Sequence, residues 1–130
     1  MKNPKNLKYT KSDEWVKIEG KQATLGITDY AQGQLSDIVY VGFNYEKGQT
    51  IKVGESIATI ESVKAAAEVS SPLLGIVLEV NQSLSTSPEV INDDPYGKGW
   101  MYKMDISSAT EKSDLMDAES YDKYCDSRGH

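Results

Sequence analysis

The sequence has little of what most active sites are built from. Its 130 residues include one cysteine, Cys125, and one histidine, His130. A single thiol cannot close an internal disulfide, which fits a reducing compartment. A Cys–His or Ser–His–Asp arrangement would need the last residue to fold back into a cleft, and chain ends are usually poorly ordered. Cys125 reads instead as a packing residue of a helix. There is no Gly-x-Gly-x-x-Gly fingerprint and no phosphate-binding loop, since Gly97-Lys98-Gly99 lacks the spacing. Asn92-Asp93-Asp94 offers oxygens to a hard cation but reads more simply as a solvated turn. Adjacent carboxylates such as Asp13-Glu14 say nothing about acid–base chemistry in a chain with 20 acids. No run approaches the roughly 18 apolar residues of a membrane span. The first ten residues are polar and lack the apolar stretch of a secretory signal. A soluble intracellular chain is expected, in a bacterial cytoplasm or, alternatively, as a mature chain of the mitochondrial matrix.

Positive charge is also scarce where it would matter. The chain has 14 basic and 20 acidic residues, a net charge of −6, and a pI near 4.8. The balance is +3 over residues 1–21, −5 over 22–104 and −4 over 105–130. With no basic stripe, nothing would release the counterions of a nucleic acid, so that role is excluded. The length and a hydrophobic content of 38% suit one domain with one modest core, spanning residues 1–130.

What is present reads mainly as short β-strands. Segments 15–19 and 22–27 flank Gly20-Lys21, a two-residue hairpin signal. Thr28 is placed to cap a short helix over 29–35. Residues 37–43 form a continuous apolar run, expected to be a buried strand. Segments 57–63 and 68–70 are strand-like, with Lys64-Ala65-Ala66 between them. In 73–80 the alternation puts Leu74, Ile76, Leu78 and Val80 on one face and Gly75 and Glu79 on the other. In 100–106, Trp100, Tyr102, Met104 and Ile106 share a face opposite Met101, Lys103 and Asp105. Between them, 81–99 is mainly loop with a short helical turn. Leu115, Ala118, Tyr121 and Cys125 fall near one face of a C-terminal helix. The fold class is therefore mainly β: short strands closing on themselves, with a helix docked outside. A faint internal echo relates Asp37-Ile38-Val39-Tyr40 to Gly75-Ile76-Val77-Leu78.

No active site assembles from these side chains, which leaves an attached group to supply the chemistry. Only five lysines fall in residues 22–104. Lys64 stands at the tip of a predicted hairpin beside small residues, well placed for acylation, although a solvated turn lysine would look the same. Lys103 competes, because Tyr102-Lys103-Met104 resembles half of the Met-Lys-Met context of biotin carriers. Its mid-strand position argues for Lys64.

The stretches Lys8-Tyr9-Thr10, Glu14-Trp15-Val16, Leu25-Gly26-Ile27-Thr28-Asp29-Tyr30-Ala31-Gln32, Asp37-Ile38-Val39, Ile60-Glu61-Ser62-Val63-Lys64-Ala65, Val80-Asn81, Ile91-Asn92, Pro95-Tyr96-Gly97 and Gly99-Trp100 occur in order. Together they resemble the H-protein family of the glycine cleavage system, whose members are lipoyl carriers. The likeness runs from Leu7 to about Ile106, more weakly through the C-terminal helix. It implies a lipoyl-domain-like barrel-sandwich hybrid, or flattened β-barrel, with a core over 7–106, short added helices and a C-terminal helical extension over 107–130. It implies lipoate in amide linkage on Lys64, with Glu61 and Gly75 recognised by the lipoyl-attaching enzyme. It further implies that Ser12, Glu14 and Glu68 shelter the arm in a cleft. The implied activity is that of a non-catalytic carrier acting as a monomer. It would take an aminomethyl group from glycine decarboxylase (P protein) to an aminomethyltransferase (T protein), and electrons to dihydrolipoamide dehydrogenase (L protein). A relay of lipoyl groups to other proteins is the alternative. The chain departs from the family at Asp13, where His is common, at Ala67-Glu68, where Ser-Asp is frequent, and at Gly42-Phe43-Asn44-Tyr45, where an acidic, proline-containing turn is usual.

Overall fold

A computed structural model describes residues 3–107 and 115–128. Among these residues, nine strands and four helices follow one another along the chain. The strands are β1 (Lys8–Tyr9), β2 (Glu14–Glu19), β3 (Gln22–Ile27), β4 (Ile38–Phe43), β5 (Thr50–Ile51), β6 (Ser56–Ser62), β7 (Ala66–Ser70), β8 (Gly75–Val80) and β9 (Tyr102–Asp105). The helices are α1 (Asp29–Leu35), α2 (Ser83–Thr86), α3 (Val90–Asp93) and α4 (Ala118–Ser127). Two antiparallel sheets result, ordered β1-β2-β3-β9-β8-β5 and β4-β6-β7. Apolar side chains from both sheets, among them Val16, Leu25, Ile57, Ile60, Val77 and Met104, fill the space between them, joined by Leu73 from the β7–β8 connection.

Local chemistry accounts for the joints. Gly20 adopts φ +62°, which lets β2 turn into β3 with Glu19 opposite Gln22. Thr28 Oγ1 accepts the Ala31 amide at 3.2 Å and starts α1. The end of α1 is pinned by Asn92, whose amide donates to Gln32 Oε1 and Ser36 O while its oxygen accepts the Ile38 amide. Asn92 is therefore occupied in holding α1 against α3. No group of three or more His, Cys, Asp or Glu residues able to hold a metal occurs among the described residues. None of the described helices is long and apolar enough to cross a membrane.

A second apolar cluster sits beside the first. Leu7, Tyr9 and Trp15 pack against Ala118, Tyr121 and Cys125 of α4. The Tyr9 and Tyr121 rings stack 4.8 Å apart, and Tyr9 exchanges two backbone hydrogen bonds with Met116. The Asn3 amide reaches Asp122.

The elements depart from expectation in five places, the first being Leu115, expected on a face of the C-terminal helix but lying before α4 begins at Ala118. The inward face of 73–80 is the opposite one: Leu73, Gly75 and Val77 are buried while Ile76 is 44% exposed. A bulge between Val77 and Glu79 resets the alternation, so that Val80 again meets the core. β4 is not buried on both faces: Val39 and Tyr40 are about half exposed. Met101, expected on a polar face, is fully buried, since it precedes the regular part of β9. The loop over 81–99 holds two helical turns, α2 and α3, rather than one. The two segments of the internal echo lie in different sheets. Lys112 and His130 lie outside the described residues.

Candidate functional site

Lys64 occupies the turn between β6 and β7, paired from Ser56 opposite Ser70 to Glu61 opposite Ala66. Ser62 builds the turn. Its hydroxyl accepts the amides of Lys64 at 3.3 Å and Ala65 at 3.1 Å, and its amide donates to Ala65 O at 2.7 Å. The Val63 amide donates to Asp37 O and ties the turn to the start of β4. The side chain of Lys64 points into solvent between exposed Val63, Ala65 and Ala66. Its ammonium makes no ion pair or hydrogen bond to a described residue. Glu61, also exposed, lies on the same hairpin opposite Tyr40. Lys103 differs on each count: it is mid-strand in β9, 3.8 Å from Glu79, with its ammonium 4.9 Å from the Trp100 ring centroid.

Ser12, Glu14 and Glu68 come together on one cleft of about 190 Å³, walled also by Ala31 and Leu35 of α1 and by Ile60 of β6. Glu14 is only 2% exposed. Thr10 and Ser12 donate hydroxyls to its Oε1 at 2.6 and 2.7 Å, and the Ser70 amide approaches Oε2 at 3.4 Å. Burial pushes the Glu14 carboxyl above its ordinary pKa, and these hydrogen bonds offset only part of that push. Glu68 is the opposite case. Exposed on β7, it accepts hydroxyls from Ser56 at 2.5 Å and Thr59 at 2.6 Å, which hold its carboxyl below the usual range. One carboxylate is thus buried and costly to ionise, and the other is exposed and easy to ionise. Glu68 follows Lys64 by four positions, so at most ~13 Å of extended chain separates the exposed lysine from the cleft rim.

Gly75 is not part of this grouping. It lies in β8 of the other sheet, between Ile51 and β9, where a Cβ would stand 2.7 Å from Asp105 O. Its small size is needed for that close packing whatever else it does. Sequence reasoning did not pick out Thr10, Ser56 and Thr59, which fix the two carboxylates. Single hydroxyls in strand-forming segments give no signal until the register is known. Nor did it pick out Ala31 and Leu35, which read only as one face of a short helix.

The profile of the glycine cleavage H-protein family matches residues 7–128. The chain belongs to that family. It is 54% identical over 121 residues to the glycine cleavage system H protein of Thermotoga maritima, covering 93% of this chain and 97% of that one. It is 47% identical over 122 residues to the mitochondrial glycine cleavage system H protein 2 of Arabidopsis thaliana, covering 94% of this chain and 78% of that one. The crystal structure of a glycine cleavage system H protein from Mycobacterium marinum superposes with a TM-score of 0.82 at 32% identity, over 98% of this chain and 99% of that one. H proteins thus share this chain's mainly β, two-sheet architecture.

Proposed function

We propose that the chain is the lipoyl-bearing carrier of a glycine cleavage system, with lipoate held in amide linkage by Lys64. One observation carries this reading: an exposed lysine, unpartnered among the described residues, at the apex of a hairpin whose strands also wall a cleft containing a buried carboxyl. The residues fit the group. Acylation would discharge an ammonium that takes part in no ion pair with a described residue, and Ala65 and Ala66 leave room for an attaching enzyme. When attached, lipoate supplies a disulfide that takes up the aminomethyl group of glycine and two electrons.

The chain's own residues do the rest. Glu14, Ser12 and Glu68 offer carboxylate and hydroxyl oxygens to an ammonium, which would pair with the Glu14 charge that burial now disfavours. Ile60 and Leu35 keep water from that pair. Glu61 and Gly75 are proposed as recognition points for the attaching enzyme. The glycine decarboxylase, the aminomethyltransferase and dihydrolipoamide dehydrogenase would each meet the exposed hairpin in turn, around a monomeric, single-domain carrier with no catalytic group of its own. Its compartment would be the cytoplasm of a bacterium or the mitochondrial matrix, and the acidic surface would serve as the docking face. Binding to all three enzymes that did not weaken with salt would remove that docking role.

Glycine–bicarbonate exchange with the decarboxylase tests the reading. The lipoylated chain should support exchange, and the Lys64→Arg chain should support none. A lipoylated chain that gave no exchange would point instead to lipoyl relay.

A further inference from the structure

The turn that presents Ser12 and Glu14 is gripped from outside the cleft by α4. Asp13 sits between those two residues in the left-handed region, at φ +72°. Asp tolerates that conformation better than most non-glycine residues, and here its surroundings hold it there. Its carboxylate is fixed by Arg128, which donates from both terminal nitrogens, to Oδ1 at 2.8 Å and Oδ2 at 3.0 Å. Such two-pronged pairing sets orientation as well as charge. Arg128 also donates to Lys11 O at 3.1 Å, as does the Tyr124 hydroxyl at 3.0 Å. The guanidinium is itself held between the rings of Tyr30 and Tyr124, at 4.4 and 4.1 Å from their centroids.

Tyr121 extends the grip to the opposite wall. Its hydroxyl lies 2.7 Å from Asp13 Oδ1 and 2.7 Å from Thr28 Oγ1. Burial keeps that phenol protonated, and the carboxylate paired with Arg128 can only accept. The direction of the chain is therefore determined: the Ala31 amide donates to Thr28, Thr28 to Tyr121, and Tyr121 to Asp13. Ala31 and Leu35 of the helix that Thr28 caps line the cleft on one side, and Ser12 and Glu14 on the other. The Thr28 amide already ties the two walls by donating to Asp13 O at 3.0 Å, and the phenol adds a side-chain link beside it.

We propose that Tyr121, Asp13 and Arg128 are positioning residues, through which α4 stiffens the junction of the cleft walls and holds Ser12 and Glu14 in place for the arm. This rests on the carrier reading above, so the primary test uses the full-length chain without lipoate. Tyr121→Phe keeps the ring that stacks on Tyr9 and removes only the hydroxyl. Losing this hydrogen bond to a charged group should speed amide hydrogen exchange at Asp13, Thr28 and Ala31 about tenfold. The Ile60 and Val69 amides of the hairpin should keep their wild-type rates. In a second arm, Tyr121→Phe should accept lipoate on Lys64 at the normal rate, yet once lipoylated protect the aminomethylated form from hydrolysis for a shorter time than the wild type. Unchanged exchange at the three amides would overturn the proposal. So would exchange that rises equally in the hairpin, because α4 would then be packing alone. If Tyr121→Phe lowered the unfolding midpoint as a whole, Arg128→Gln, at a 21% exposed side chain, makes the same local comparison with the same two readings. A chain never modified on Lys64 would remove the carrier reading and leave the exchange result standing.

Discussion

The hairpin apex and the Asp13 turn border the same region and are built in opposite ways. At the apex, Val63, Lys64, Ala65 and Ala66 are all exposed, and one serine with one bond to Asp37 holds the turn. At the Asp13 turn, a left-handed residue is fixed by a bidentate arginine, two tyrosine hydroxyls grip the turn, and fully buried aromatic rings lie behind it. The apex is free to be handled by other proteins, whereas the cleft wall is fixed before anything enters it. A site ordered in advance loses less conformational entropy on binding. On the proposed carrier reading, the free apex would be the attachment point and the fixed wall the surface that receives the arm.

The comparison breaks most completely at Lys64. Lys64→Arg keeps the charge and the turn but cannot be acylated, so carrier activity in the exchange assay should vanish while the unfolding free energy changes by less than about 0.5 kcal/mol. The fixed side is tested hardest by Tyr9→Ala. Removing a fully buried ring that stacks on Tyr121 should cost ~3–5 kcal/mol, measured by urea unfolding. Gly75→Ala should cost about 1–3 kcal/mol, because the new methyl meets Asp105 O across the β8–β9 pair. If the folded fraction of that variant is lipoylated at the wild-type rate, Gly75 serves packing alone.

Glu14→Gln separates stability from function. The folded chain binds the Glu14 proton more tightly than the unfolded one, because burial raises the carboxyl's pKa. Glu14 therefore contributes stability that is present below the unfolded carboxyl value of about 4.3 and is lost as pH rises through the folded value. Gln carries no charge to bury, so the variant should match the wild type near pH 4 and be the more stable of the two at neutral pH, in thermal unfolding across pH. It should also lose protection of the aminomethyl group. Glu68 has the opposite sign: its hydroxyl-held carboxylate contributes stability above the unfolded value and loses it as pH falls. The smallest effect is expected from Lys103→Gln, which removes a solvent-exposed pair with Glu79 and should change unfolding by less than about 0.5 kcal/mol without altering lipoylation of Lys64.

Much of the fold was legible because its signals are local. The Gly20-Lys21 turn, the Thr28 cap and the Lys64 hairpin each depend on neighbours within a few residues. The face of β8 was misread because a bulge breaks a period that sequence alone takes as regular. The candidate site was legible in some residue types and less so in its supports. Lys64, Glu61 and Glu14 lie in stretches that resemble the family, whereas Ser12 and Glu68 come from the resemblance by position alone, and Glu68 departs from the usual residue. The grip of Tyr121 and Arg128 on Asp13 joins residues more than 100 positions apart, and no periodicity announces such a pair. Thr10, Ser56 and Thr59 became visible as carboxylate holders only once the turn and the strand register were fixed.

Peptide mapping by mass spectrometry of the chain purified from cells supplied with lipoate tests the central claim most directly. The account predicts the mass of one lipoyl amide on the peptide containing Lys64 and none on the peptide containing Lys103. An unmodified Lys64, or a lipoyl group on Lys103, would contradict it.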